Sequence, residues 1–240
     1  MKLSPETLAI LKNFSRTNTN LYVEKDTNIV VTCSPTKTVL CRAEVPDVFP
    51  ESFGIYDMNS FLGALSIFDD PNIEFSSSQC IITDAKDKRK RLSYNCAAKN
   101  VLSLPTVNSL AVLPTDVVAE FELTDESLKT IVRSASLMQL DQIVIAVDND
   151  KASIGAKNAE SGSGDVSNIF SIDISDQVSR GDAFSSLHES GYDKLNINPI
   201  QPADYKVTVT TKVMQMETKD FMGTAGCNVT YWFAQMKKSA

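Results

Sequence analysis

Leu3-Ser4-Pro5-Glu6-Thr7-Leu8 returns half a chain later as Leu123-Thr124-Asp125-Glu126-Ser127-Leu128. Each copy puts Ser or Thr at a helix N-cap with an acidic residue in the first turn, and the first copy adds Pro at the first helical position. Both continue in helical period. Behind each helix comes a pair of β-type runs split by a polar turn: Leu21 to Glu24 with Asn28 to Thr32, and Gln142 to Val147 with Ala152 to Ile154. The repeat therefore predicts an α+β chain of two similar domains, each of helices packed on antiparallel sheet.

Between the copies, Val101 to Val118 is apolar but irregular and carries Pro105 and Pro114, whose missing backbone donors disfavour a central strand. This stretch, about residues 101–118, is the expected connector, with domains over 1–110 and 111–240. Short strands are expected at Asn72 to Phe75, Gln79 to Thr83, Arg91 to Cys96, Tyr205 to Thr211 and Asn228 to Phe233. One further helix is expected over Ile55 to Phe68, and a Gly/Ser loop over Ser161 to Ser167.

A length of 240 residues and 26.3 kDa suffices for two domains, each burying its own core. With 42% hydrophobic and 22% charged residues spread along the chain, disorder is excluded. No apolar run approaches the roughly 20 residues of a membrane helix. The amino terminus turns polar at once, unlike a secretory signal, so a cytoplasmic location is expected. Cys33, Cys41, Cys80, Cys96 and Cys227 have neither disulfide-framework nor zinc-ligand spacing and read as free thiols. His188 is the one imidazole, in a polar stretch that reads as a surface loop, which leaves a Ser-His-Asp or Cys-His site little support. Asp148-Asn149-Asp150 begins like a calcium loop, but Ser153 and Ala159 stand where Gly and Glu are required; a hairpin turn fits better. No catalytic residue, metal or cofactor is expected.

The net charge of −7 argues at first against a polyanionic partner. The charge is unevenly placed, however. Residues 1–115 carry 12 Lys+Arg and 12 Asp+Glu, so the whole excess lies in residues 116–240, with 11 against 18. Helical projection puts Leu8, Ile10, Leu11 and Phe14 on one side of the first helix, with Ala9, Lys12, Asn13 and Arg16 on the other. The second helix sets Leu128, Ile131, Val132 and Met138 together and turns Lys129, Arg133 and Ser136 away. Two cations one turn apart, twice over, form a surface that can approach phosphates without reading a base sequence. The run Lys86-Asp87-Lys88-Arg89-Lys90-Arg91 between two strand segments is either a solvated hairpin loop or a further phosphate contact through Lys88 and Arg89. No aromatic residue interrupts it, so stacking on single strands is not indicated.

Met1-Lys2-Leu3-Ser4, Leu11-Lys12-Asn13-Phe14, Ile55-Tyr56-Asp57 and Phe61-Leu62-Gly63, in this order, resemble the amino-terminal half of the sliding clamps of large tailed bacteriophages. The resemblance continues more weakly through Thr124 to Ala156 and faintly through Asp204-Tyr205-Lys206-Val207. The Gly/Ser loop and Gly223 to Ala240 depart from it. It implies the DNA clamp fold: two similar domains per subunit, closed head to tail as a homotrimer, with helices lining the hole. It further implies double-stranded DNA as a sequence-independent partner, a clamp-loader ATPase complex that opens the ring, and a replicative DNA polymerase held through a short carboxy-terminal peptide. Late transcription, with a sigma-like factor and a co-activator, and residence in the cytoplasm of an infected bacterium also follow from the resemblance. Leu102, Leu104, Val107 and Leu110 on the connector either form the landing place for the polymerase peptide or pack the connector onto the adjoining sheets. A non-enzymatic β-rich structural or adaptor protein of a virion is the rival class; it would share the strands but would not need matched basic helices.

Overall fold

The computed structural model describes residues 1–105, 115–148, 151–159, 168–174, 178–182, 184 and 187–236. Packing divides the chain into two compact units: Met1–Ala111 with Lys219–Val229, and Val112–Thr218 with Thr230–Ala240. The return of the short segment 219–229 to the first unit has no local signature in the sequence. Two polar contacts hold it there, Thr224 donating to Glu6 Oε1 at 2.6 Å and Asn228 donating to Glu44 Oε2 at 3.1 Å.

The two copies of the repeat open with matching capped helices. Helix α1 spans Pro5–Phe14 and helix α3 spans Asp125–Leu137. Their caps, Ser4 (φ −67, ψ 156) and Thr124 (φ −72, ψ 152), adopt the same extended backbone. The Ser4 hydroxyl accepts the Thr7 N–H, and the Thr124 hydroxyl accepts the Ser127 N–H, each at 3.2 Å. A distant carboxylate completes each cap. Asp47 Oδ2 accepts the Ser4 N–H at 2.7 Å and the Thr7 hydroxyl at 2.6 Å, while Asp204 Oδ1 accepts the Asp125 N–H at 2.8 Å. A helix N-terminus exposes unsatisfied N–H groups and a partial positive charge, so a carboxylate from elsewhere in the unit both stabilises the helix and fixes its position.

In the first unit, β1 (Leu21–Val23) pairs with β4 (Phe53–Ile55), β2 (Thr27–Cys33) with β3 (Val39–Phe49), and β5 (Pro71–Phe75), β6 (Gln79–Asp84) and β7 (Arg91–Asn95) form a three-stranded sheet. The expected β1–β2 hairpin is thus replaced by two separate ladders. Strand β3 tolerates Pro46 because the register jumps there, from Thr27 opposite Phe49 to Ile29 opposite Glu44. Pro46 lies inside that bulge, where no ladder donor is required, and Asn28 Nδ2 donates to the Val45 carbonyl at 3.2 Å. The bulge is also what brings Asp47 to the α1 cap. Helix α2 is Met58–Leu65, shorter than the expected Ile55 to Phe68, because Asp57 caps it by accepting the Asn59 and Ser60 N–H groups and Ile55 ends a strand. Ile10, Phe14, Phe49, Ile55 and Phe61 are essentially sealed from solvent.

In the second unit, β9 (Gln142–Asp148) and β10 (Lys151–Lys157) do form the expected hairpin ladder, with Lys151 opposite Asp148; Asn149 and Asp150 lie outside the described residues. The sheet runs β11 (Phe170–Asp173), β10, β9, β13 (Leu187–Asp193). Strands β12 (Ser179–Arg180), β8 (Val117–Leu123), β14 (Tyr205–Thr210) and β15 (Val213–Thr218) follow in order in a second sheet, and β16 (Asn228–Ala234) lies next to β15, with Trp232 Nε1 donating to Gln215 at 3.0 Å. Strand β8 begins inside the expected connector. The short helix α4 (Lys194–Ile197), capped by Asp193, is too brief for its periodicity to register in the sequence. His188 belongs to β13, half-buried opposite Val147, and is not a loop residue.

Candidate nucleic-acid interface

The apolar sides of α1 and α3 are consumed by their sheets, α1 against β3 and α3 against β10, β9 and β11. Ile10, Leu11 and Phe14 are buried, as are Leu128, Ile131 and Ala135. Helical geometry then forces the opposite sides outward, and Lys12, Arg16, Lys129 and Arg133 are all turned toward solvent. Three placements differ from the helical projection. Arg16 lies just past α1, in the turn whose N–H bonds the Asn13 carbonyl at 3.0 Å. Asn13 is only 4% exposed and so does not share the cationic side. Met138 caps the end of α3 and is 38% exposed, outside the core, where Ala135 takes the buried position.

The four cations are not equivalent. Lys129 forms an i,i+4 ion pair with Asp125 on the same helix. Such exposed pairs are worth a few tenths of a kcal/mol, so an arriving phosphate can displace the carboxylate at little cost. Arg133, one turn further, shares a shallow depression with Asp125, Lys129 and Thr130. Lys194 at the start of α4 reaches back to the Ala135 carbonyl at 3.5 Å and so adds positive charge near the end of α3, a contribution the sequence did not reveal.

The basic hairpin between β6 and β7 is exposed, but much of its charge is already answered. Arg89 grips Asp87 with two nitrogens, at 2.9 and 3.2 Å, an interaction that holds the Asp87 carboxyl below its usual range. Lys90 lies between Asp69 at 3.7 Å and Asp84 at 3.9 Å. Lys88 is exposed at the tip.

Of the four connector residues, Val107 and Leu110 lie outside the described residues. Leu104 lines a groove of about 290 Å³ with Tyr22, Ile29, Val31 and Pro105. At its edge the Lys99 ammonium sits 4.5 Å above the Tyr22 ring and 2.5 Å from Glu24. Leu102 packs against the Gly54 backbone instead. Two asparagines hold Ser103 between these leucines: Asn18 donates to its carbonyl at 3.0 Å and Asn20 accepts its N–H at 2.8 Å. Asn18 and Asn20 therefore position the groove residue Leu104, a role that only the tertiary contacts disclose.

Among the described residues, β7 and β11 each have a ladder partner on one side only. The Cys96 N–H bonds the Ser78 carbonyl and the Ile174 N–H bonds the Ala152 carbonyl, both at 2.9 Å. By antiparallel alternation, the backbone groups of Arg91, Ser93 and Asn95 on β7, and of Ser171 on β11, point away from their sheets. Strand β5 is protected, since Ile73 exchanges hydrogen bonds with Met1 at 2.5 and 2.7 Å. Among the described residues, no three His, Cys, Asp or Glu side chains are grouped to hold a metal ion, and no helix is long and apolar enough to cross a membrane.

Helices packed on antiparallel sheets, with the same capped helix opening each of two units, constitute the DNA clamp fold. The structure matches the proliferating cellular nuclear antigen of Entamoeba histolytica with a TM-score of 0.66 over 98% of each chain, at 12% identity. Residues 3–101 match the family model of the DNA polymerase processivity factor. The chain is 27% identical over 213 residues to the sliding clamp of Vibrio phage KVP40, covering 87% of this chain and 90% of that one. It is 28% identical over 220 residues to the sliding clamp of Enterobacteria phage T4, covering 91% of each. The chain is a homologue of the sliding clamps, the DNA polymerase processivity factors.

Proposed function

We propose that the protein closes head to tail as a homotrimer around duplex DNA and tethers a replicative polymerase to its template. The observation that carries this is the matched pair of basic helix faces, Lys12 with Arg16 and Lys129 with Arg133, on an otherwise acidic protein. A ring is retained by topology, so its phosphate contacts can each stay weak and mobile, whereas an open binder must trade affinity against sliding. Lys88 and Arg89 are secondary DNA contacts in this reading, Lys88 the better placed because Arg89 is engaged by Asp87. The open edges β7 and β11 suit closure, a strand of one copy extending the sheet of the next by heterologous contacts. The role requires no catalytic residue and places the protein in the cytoplasm of an infected bacterium. A clamp-loader ATPase complex would open the ring, and a late-transcription sigma-like factor and co-activator would share its outer surface.

The direct test is retention after loading on closed circular and on linear DNA of the same sequence. Loaded protein is expected to persist on the circle and to run off the free ends of the linear duplex. Equal lifetimes on the two would eliminate a topological link.

The groove beside Leu104 is the proposed site for the polymerase's carboxy-terminal peptide, whose apolar side chains would bury against Tyr22, Ile29 and Val31. Leu102, Val107 and Leu110 remain part of the proposal. Leu104→Ser is expected to weaken peptide binding by roughly tenfold or more, the equivalent of losing about 1.5–3 kcal/mol of leucine burial. Because Leu104 is only half-buried in the free protein, thermal stability should change little. Fluorescence anisotropy with the labelled peptide measures this, and unchanged affinity in a folded variant would move the site elsewhere.

A further inference from the structure

The cysteines divide into three single thiols and one pair. Cys33, Cys41 and Cys227 are buried, and burial pushes each thiol up, that of Cys41 to about 12. Thiols of that kind are inert to exchange, since the thiolate is the nucleophile. Cys80 and Cys96 are different: their sulfurs lie 3.3 Å apart. Cys80 sits fully buried in β6 opposite Tyr94, and Cys96 follows two residues later, so the two are diagonal neighbours on one face of the sheet. Cys96 is half-exposed, and the hydrogen bond from the Cys80 thiol lowers its pKa while that of Cys80 is raised. The pair thus joins an accessible attacking thiol to a shielded second one.

We propose that Cys80 and Cys96 form an oxidisable dithiol, a modification site whose substrate is a low-molecular-weight disulfide of the glutathione type and whose product is an internal disulfide between β6 and the end of β7. The Cys96 thiolate attacks one sulfur of the small disulfide and expels one small thiolate, leaving a mixed disulfide on Cys96. Cys80 then loses its proton to water and attacks the Cys96 sulfur, expelling the second small thiolate. In sum, two protein thiols are oxidised to one disulfide and one small disulfide is reduced to two thiols. A disulfide needs its sulfurs about 2.05 Å apart, and side-chain rotation of the half-exposed Cys96 can supply that movement while its N–H stays bonded to the Ser78 carbonyl. In a reducing cytosol the pair rests as thiols, and it closes when the small-disulfide pool rises.

The test is to incubate the full-length native protein with glutathione disulfide, then alkylate it unfolded and map the cysteines by mass spectrometry. The wild type is expected to lose the mass of two hydrogens, with Cys80 and Cys96 protected from alkylation and Cys33, Cys41 and Cys227 fully alkylated. Cys80→Ser should retain one glutathione on Cys96, and Cys96→Ser should stay unmodified. A wild type that keeps glutathione on Cys96 without closing the internal bond would overturn the proposal, as would one that stays reduced under conditions that oxidise the unfolded chain.

Discussion

Replacing Lys12, Arg16, Lys129 and Arg133 together by Ala is expected to cut retention on closed circular DNA by roughly tenfold or more near physiological salt while leaving the fold intact. All four side chains face solvent, so each substitution should cost no more than about 0.5 kcal/mol in stability. Removing the Lys129 pair with Asp125 adds only a few tenths. The effect on DNA has a different origin. Each phosphate contact releases condensed counterions and adds about 0.9 to the slope of log affinity against log salt, so taking four cations from every subunit should flatten that slope visibly. The reduction should be the same on every sequence, because phosphates carry no base information. Retention would be measured after loading, across a salt series, for wild type and variant, with thermal unfolding as the control for fold. A variant with unaltered lifetime and salt slope would show that the DNA lies against another surface.

Ser93→Pro is expected to abolish ring assembly and leave a folded monomer. The Ser93 N–H points away from β6, so the proline removes no bond of the existing ladder, and an edge strand accepts it. A neighbouring strand approaching that edge would be denied a donor and would meet the proline ring. An unmade backbone hydrogen bond costs about 1–3 kcal/mol, and a closed ring repeats the defect at every interface. Ser93→Ala keeps the backbone donor and should assemble normally. Ser171→Pro on the β11 edge should reproduce the monomer if that strand is the complement. Light scattering of each variant, with circular dichroism to confirm the fold, distinguishes these outcomes. A Ser93→Pro protein that retains the wild-type particle mass would exclude β7 as the closing edge.

What was legible in the sequence was whatever is encoded within a few residues. The starts of α1 and α3 were readable because a cap, an acidic first turn and a helical apolar period lie side by side. The strands β5, β6, β14 and β16 were readable from their β-type runs, and the outward placement of Lys12, Lys129 and Arg133 followed once the apolar sides were known. The same locality explains the errors. Asn13 stands at a position that projection assigns to solvent, yet the unit closes over it. Strand β3 is absent from the expected strands, and only its pairing with β2 creates the bulge that accommodates Pro46.

Local sequence was enough to specify two copies of one helix-led unit, the residue at which each helix begins, and the cations opposite each apolar side. Long-range packing had to choose the rest: that β1 pairs with β4, that residues 219–229 belong to the first unit, and that Asp47 and Asp204 finish the helix caps. It also selected Asn18 and Asn20 to hold Ser103 so that Leu104 lines a groove, and it brought Cys80 to Cys96. The division follows separation along the chain. A cap or a helical period is satisfied by neighbours and leaves its pattern in the local sequence. A ladder register, or a carboxylate 43 residues from the N–H it accepts, is selected by the packing of the whole unit and leaves no pattern at either end.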